Sequence, residues 1–224
     1  MSDITVYTCV TGAKDRPQPT LKLPHLRHVL FADEHTGEAE GWDRRGALHP
    51  PYACIGPSRR SMYHRWNPTR LGLTGSLMWV DGNFRLLKDP TPLFEAVKRE
   101  GSDIGVFAHP NRTCVYEEAD EHIRIGMYDT WFIRTQKAYY QRLGIRQHAG
   151  LYMTGLLVIP NSDATPVADA MAEVFEELLR FSYRDQIAFP VVAKRVGLKL
   201  TVFAYASSGE YFADEPHLVG ASIE

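Results

Sequence analysis

Short runs of β-branched and aromatic residues recur along this chain, separated by polar turn segments and by stretches with helical spacing. Ile4–Val10 (ITVYTCV) reads as a first strand that stops at Thr11-Gly12. Residues 14–24 are polar and Pro-rich, a loop, and residues 28–32 (HVLFA) form a second strand ending at Asp33-Glu34. Residues 57–71 predict a helix, with Pro57 and Ser58 as start signals and Met62, Arg65 and Trp66 on one face. Ser76–Val80 (SLMWV) is apolar on both faces, as in a central buried strand, and Asp81-Gly82-Asn83 breaks it. A helix over residues 92–100, a strand over Ile104–Ala108, a helical stretch over residues 116–143 broken at Gly126, and a strand over residues 151–159 follow. Val167, Met171, Val174, Leu178 and Phe181 mark the clearest helix; a second covers residues 184–196, and residues 198–206 form a late strand. Strands alternating with helices predict an α/β fold, one domain over residues 1–224 with a mostly parallel mixed sheet and helices on both faces. Ligands of such sheets lie beyond the carboxyl ends of the strands, which singles out residues 8–12, Asp33, residues 81–83 and His109.

Composition changes this picture little. At 44% hydrophobic and 23% charged residues, the 224-residue chain can bury an ordinary enzyme core. A formal net charge of -2 gives no overall pull toward nucleic acid or anionic membrane. Cys9, Cys54 and Cys114 are too far apart for a zinc knuckle and odd in number, which suggests a reducing compartment. The N-terminus lacks a signal-peptide pattern, and no apolar run approaches the roughly 20 residues of a membrane span. A cytoplasmic protein is expected.

Five segments carry candidate chemistry, each with a plainer alternative. Asp81-Gly82-Asn83 is either turn chemistry or a compact set of hard oxygen ligands for Mg²⁺ or Mn²⁺. Asp185-Gln186 is either a helix-dipole partner or a carboxylate and amide facing a substrate. His217 is a surface residue or completes a metal site. Arg60 and Arg65 belong to a solvated basic face or bind phosphate through the planar guanidinium fork. His109, Glu117 and Glu118 open a helix after a strand, where acidic residues suit the dipole or would handle protons.

Taken together, the blocks RRSMYHRWNP, SLMWVDGN, DIGVFAHPNRTCVYEEA, AGLYMTGLLV and RFSYRDQIAF, with the opening TVYTCVTGAKD and FADE, resemble the TOD1/MUCI70 glycosyltransferase-like family over about residues 4 to 200. The resemblance implies a GT-A-like fold and a metal-dependent glycosyltransferase. It would move a sugar from a nucleoside-diphosphate sugar, a UDP-sugar foremost, to a glycan or other hydroxyl acceptor. It implies that Asp81 and Asn83 occupy the metal motif, with Asn83 where a second Asp is usual, and that His217 with Gly220 supplies a third Mn²⁺ or Mg²⁺ ligand. Arg65 would contact the donor, with Thr8, Gly12, Asp33 and Arg60 on the nucleotide side. Asp185 and Gln186 would lie beside the donor sugar, and Glu117, Glu118 or His109 would accept the acceptor's proton in an inverting enzyme. Ile159-Pro160 departs from the pattern, where an Arg-like residue is expected. A surface ligand in the role of Arg65 implies that Arg65→Ala weakens donor binding and leaves the melting temperature nearly unchanged. Two other readings remain: a noncatalytic glycan- or nucleotide-binding module, to which Asn83 points, and transfer to hydroxylated bases of DNA, which the net charge does not favour.

Overall fold

The computed structural model describes residues 3–12, 15–47, 56–126 and 130–217. Lys14, Cys54 and Gly220 lie outside the described residues. A seven-stranded sheet organises the rest. Its strands are β1 (Ile4–Val10), β2 (Leu26–Ala32), β3 (Asp43–Gly46), β4 (Ser76–Val80), β6 (Ile104–Ala108), β7 (Tyr152–Ile159) and β8 (Leu200–Phe203), in the order β3-β2-β1-β4-β7-β6-β8. Every neighbouring pair is parallel except those of β7, which runs antiparallel to both β4 and β6. The carboxyl ends of β1, β2, β4 and β6 therefore share one edge, and β7 begins there. A small antiparallel pair, β5 (Phe84–Leu86) with β9 (Phe212–Asp214), stands beside the sheet. The mostly parallel mixed α/β architecture is the one expected.

Helices cover both faces. α1 (Pro57–Trp66), α5 (Thr165–Arg180) and α6 (Asp185–Val196) pack on the face that carries Tyr7, Phe31, Trp79 and Leu157. α2 (Thr91–Arg99) covers the other face, against Val6, Met78, Val80 and Val158, and α7 (Tyr205–Tyr211) stands on that side. α3 (Val115–Ile125) and α4 (Thr130–Arg142) form a hairpin outside α6, where Tyr116, Ile133, Tyr140, Ile187 and Val191 pack together. Gly126 closes α3 with φ of 65°, a left-handed cap that costs a residue without Cβ nothing, which is why the long helical stretch breaks there. Trp66 and Trp79 are fully buried, and hydrophobic burial of such side chains stabilises by roughly 1.5–3 kcal/mol each.

Three differences from the sequence reading have physical causes. The helix over residues 57–71 ends at Trp66 and resumes as a 3₁₀ turn over Thr69–Leu71, because Pro68 follows Asn67 and cannot continue the α ladder. β3 (DRRG) is a polar edge strand with no apolar alternation to reveal it. The late strand stops at Phe203, and α7 follows instead of further strand.

Candidate active site

At the shared edge, one guanidinium gathers residues from three elements. Arg65 lies in the last turn of α1, where a cation suits the helix dipole, and its own carbonyl accepts a hydrogen bond from Tyr7 Oη (2.9 Å), which fixes the helix end on β1. Only 3% of Arg65 is exposed. Its Nη1 donates to Asp185 Oδ2 and its Nη2 to Asp81 Oδ1. The group lies over the Trp79 ring, 4.9 Å from the centroid. Burial alone would lower its pKa, but Asp185 and Asp81 outweigh that and hold it above the ordinary arginine value.

The two carboxylates differ in what remains free. Asp185 opens α6, where the dipole favours an anion, and it is buried. Thr154 Oγ1 donates to its Oδ1 (2.7 Å), and Trp66 Nε1 donates to its Oδ2 (3.1 Å), so Arg65, Thr154 and Trp66 occupy both oxygens. Asp81 follows β4, and its N–H donates to Gly155 O on β7 (2.9 Å). Its Oδ1 also accepts from Trp79 Nε1 (2.9 Å), while Oδ2 has no hydrogen-bond partner among the described residues and the side chain is 31% exposed. A Cβ on Gly155 would come within 2.8 Å of that Oδ2, so the glycine is what leaves room there.

Two strands away, a cleft of about 420 Å³ opens at the ends of β2 and β3, lined by Asp33, Glu34, Arg44, Arg45 and Arg60 among others. Asp33 Oδ2 accepts the Gly12 N–H (2.6 Å), and Oδ1 accepts from His35 N (3.2 Å) and Thr36 Oγ1 (3.0 Å). Partial burial would raise the Asp33 pKa, but these hydrogen bonds bring it below the ordinary carboxylate value. Asp33 stands 21 residues beyond Gly12, at the end of the second strand, where α/β nucleotide sites place an acid for ribose hydroxyls.

Thr8 is placed differently from its expected role. It lies inside β1, buried, on the face opposite α1 and paired with Leu30, so it does not reach the edge. Gln186 follows Asp185 but accepts from Arg184 Nη2 (2.9 Å).

Glu118 and His109 form a separate ionic cluster. Glu118, 1% exposed, accepts from Arg112 Nε (2.7 Å), lies 2.9 Å from His122 Nε2, and has Arg184 Nη2 at 3.6 Å. Burial would raise its pKa, yet these hydrogen bonds and cations pull it down to about 2. His109 Nδ1 accepts the N–H groups of Asn111 (3.3 Å) and Arg112 (3.1 Å), which leaves the proton on Nε2, 3.7 Å from Glu118. Burial lowers the His109 pKa against the pull of Glu118.

Each residue expected to hold a divalent cation has one polar atom engaged by a neighbour. Asp81 Oδ1 faces Arg65. Asn83 Nδ2 turns to Asp214 Oδ1 (2.7 Å) and Glu215 O (3.2 Å), tying the start of β5 to the end of β9. His217 Nδ1 pairs with Asp15, whose carboxylate lies against Gly82, so the pair stands beside the turn. Among the described residues, no group of three His, Cys, Asp or Glu is placed to hold a metal ion.

Thr154, Trp66, Trp79 and Arg44 are site residues that the sequence reading passed over. Trp66 and Trp79 read as core apolar positions, and Thr154 as one more β-former. Arg44 lay in the strand that was not anticipated.

This is an α/β protein with a clamped carboxylate pair and a basic cleft at the strand ends. The chain belongs to the TOD1/MUCI70 glycosyltransferase-like domain family, whose model matches residues 60–212. It is 26% identical over 129 residues to the Probable hexosyltransferase MUCI70 of Arabidopsis thaliana, a match that covers 54% of this chain and 22% of that relative. The chain thus spans about a fifth of the relative's length. Among solved structures it is similar to mouse xyloside xylosyltransferase 1 in its apo form, at 8% identity and TM-score 0.49, over 90% of this chain and 84% of that one. It is also similar to the galactosyltransferase LgtC in complex with donor and acceptor sugar analogs, at 11% identity and TM-score 0.39, over 89% and 72%. No helix among the described residues is long and apolar enough to cross a membrane.

Proposed function

We propose that this chain is a glycosyltransferase that moves a sugar, a hexose by analogy with its plant relative, from a nucleoside-diphosphate sugar to a hydroxyl acceptor such as a glycan. The observation that carries this reading is the meeting of Asp81 and Asp185, 104 positions apart, on one buried arginine at the strand edge. In this reading the nucleoside lies in the cleft of Asp33 and Arg60, with ribose hydroxyls on Asp33. The sugar then lies over Asp81 and Asp185.

Each group has a part. Asp81 Oδ2, the open oxygen of the pair, accepts a hydrogen bond from a hydroxyl of the transferring sugar. Asp185, fixed by Arg65, Trp66 and Thr154, holds negative charge beside the anomeric centre, where positive charge grows as the bond to the diphosphate breaks. Arg65 is too buried to touch the diphosphate directly; it orients both carboxylates and offsets their repulsion. Glu118 is not assigned the acceptor's proton, because a carboxylate with a pKa of about 2 is a poor base at neutral pH. Its cluster positions Arg112 and Arg184 on the acceptor side.

The test is a screen of UDP-, GDP-, CMP- and dTDP-sugars, with release of nucleotide read by chromatography and binding by thermal shift. Release from at least one donor, accelerated by an added hydroxyl acceptor, is expected. A donor that binds tightly with no turnover under any condition points instead to the noncatalytic module.

A further inference from the structure

We infer that the leaving diphosphate is held by the guanidinium groups of Arg44 and Arg60, with no divalent cation at the Asp81-Gly82-Asn83 turn. This rests on the donor reading above and names what neutralises the departing group.

The turn offers little to a dication. Mg²⁺ and Mn²⁺ are held by carboxylate oxygens together with phosphates and water. Here Asp81 has one open oxygen, and its other oxygen already bonds the cationic Arg65. A dication on Oδ2 would face that buried positive charge across a single carboxylate, and like charges at such range in a low-dielectric site repel strongly. Asn83 adds no charge, and its Nδ2 is committed to Asp214 and Glu215 at the end of β9, which leaves one neutral oxygen, Oδ1, to offer. His217 stands beside the turn, but its Nδ1 is taken by Asp15.

The cleft offers what the turn lacks. Arg44 Nη2 donates only to carbonyl oxygens, Asp33 O (2.8 Å) and Thr36 O (3.0 Å), so no carboxylate among the described residues neutralises it. Arg60 enters from α1; its Nε is buried without a hydrogen-bond partner among the described residues, and no ion pair there engages it. Arg45, by contrast, is paired with Asp43. Two guanidinium forks that no ion pair engages among the described residues, in a cleft also lined by Asp33 and Glu34, suit a diphosphate, whose oxygens they would bond bidentately. The position also fits. β1 alone separates β2 from β4, so the β2 side of the cleft stands two strand spacings, about 10 Å, from β4. A donor seated with phosphates on Arg60 would extend its sugar past the end of β1 to Asp81.

Calorimetric titration of UDP, GDP, CDP and dTDP into the whole protein tests this, once in EDTA and once in Mn²⁺. At least one nucleotide should bind with an affinity that differs by less than about twofold between the two buffers. Arg60→Ala should weaken it about tenfold or more in both, and Arg60→Lys, which keeps the charge but not the fork, should fall between. Mn²⁺ titrated alone, followed by its electron paramagnetic resonance signal, should show no site sensitive to Asp81→Asn. Binding that requires Mn²⁺, a Mn²⁺ site lost in Asp81→Asn, or unchanged affinity in folded Arg60→Ala would each overturn the inference while leaving the donor reading in place. A folded protein that binds no nucleotide in either buffer would remove the donor reading, and this inference with it.

Discussion

A guanidinium buried between two carboxylates is costly to remove from one side only. Arg65→Ala would leave Asp185 buried without its cation, and breaking a buried pair this way costs about 3–5 kcal/mol. Urea denaturation should show that loss. The structure thereby corrects the expectation of a nearly unchanged melting temperature, which assumed a surface ligand. Asp185→Asn keeps the shape and should spare nucleotide binding while lowering turnover, because its proposed part is played as charge develops. Steady-state kinetics read beside calorimetry check this, and a matching fall in nucleotide affinity would move Asp185 to the donor's ground state. At this scale Arg65, Asp81 and Asp185 were legible from the motif blocks. What they do to one another was not, because 120 positions separate Arg65 from Asp185 and no spacing rule links them. Thr8 misled because nearness to a strand end does not make a side chain reach the edge: both faces of β1 are covered, and Thr8 is buried on the face opposite α1.

Among the elements, those with a strong apolar period were readable almost to the residue. Ile4–Val10, Ser76–Val80 and Ile104–Ala108 form as expected, since their apolar runs are bounded by turn residues. β3, β5, β9 and α7 were not readable; each is short, and pairing rather than its own pattern makes it. The cost of missing β3 was Arg44, and with it half of the basic cleft. Strand β7 carries the element-scale prediction. Asp81 N–H bonds Gly155 O, and the missing Cβ there leaves Oδ2 its space. Gly155→Ala should push the Asp81 side chain aside, costing about 1–3 kcal/mol of stability by overpacking. It should also lower turnover more than it weakens nucleotide binding, because the cleft of Arg60 lies at least three strand spacings from β7. Thermal denaturation, calorimetry and kinetics on the one variant separate these effects, and full turnover would show that Oδ2 needs no room.

For the molecule as a whole, acid is the informative stress. Burial pushes His28 and His64 down to about 4 from 6.5, so the unfolded chain binds their protons first and stability falls as pH drops through that window. Glu118 lies at about 2 against 4.5 when unperturbed, its hydrogen bonds and cations outweighing burial. Its contribution is present above the unfolded value and is lost as pH falls from 4.5 toward 2. Stability measured in urea at about pH 7, 5 and 3 should therefore decline throughout, and Glu118→Gln should flatten the lower part. The α/β class and sheet were legible from the alternation of elements; the convergence of strand ends into a site depended on strand order, which no local pattern specifies. The central claim is that Asp81 and Asp185 on Arg65 form the reacting centre of glycosyl transfer. The most direct measurement is the turnover of Asp81→Asn beside its nucleotide affinity, since Asn keeps an acceptor for Arg65 and Trp79 while it removes the charge and replaces the open oxygen with an amide donor. The account predicts affinity within about twofold of the parent and turnover lowered by about a hundredfold or more; a folded Asp81→Asn protein with the parent's turnover would contradict it.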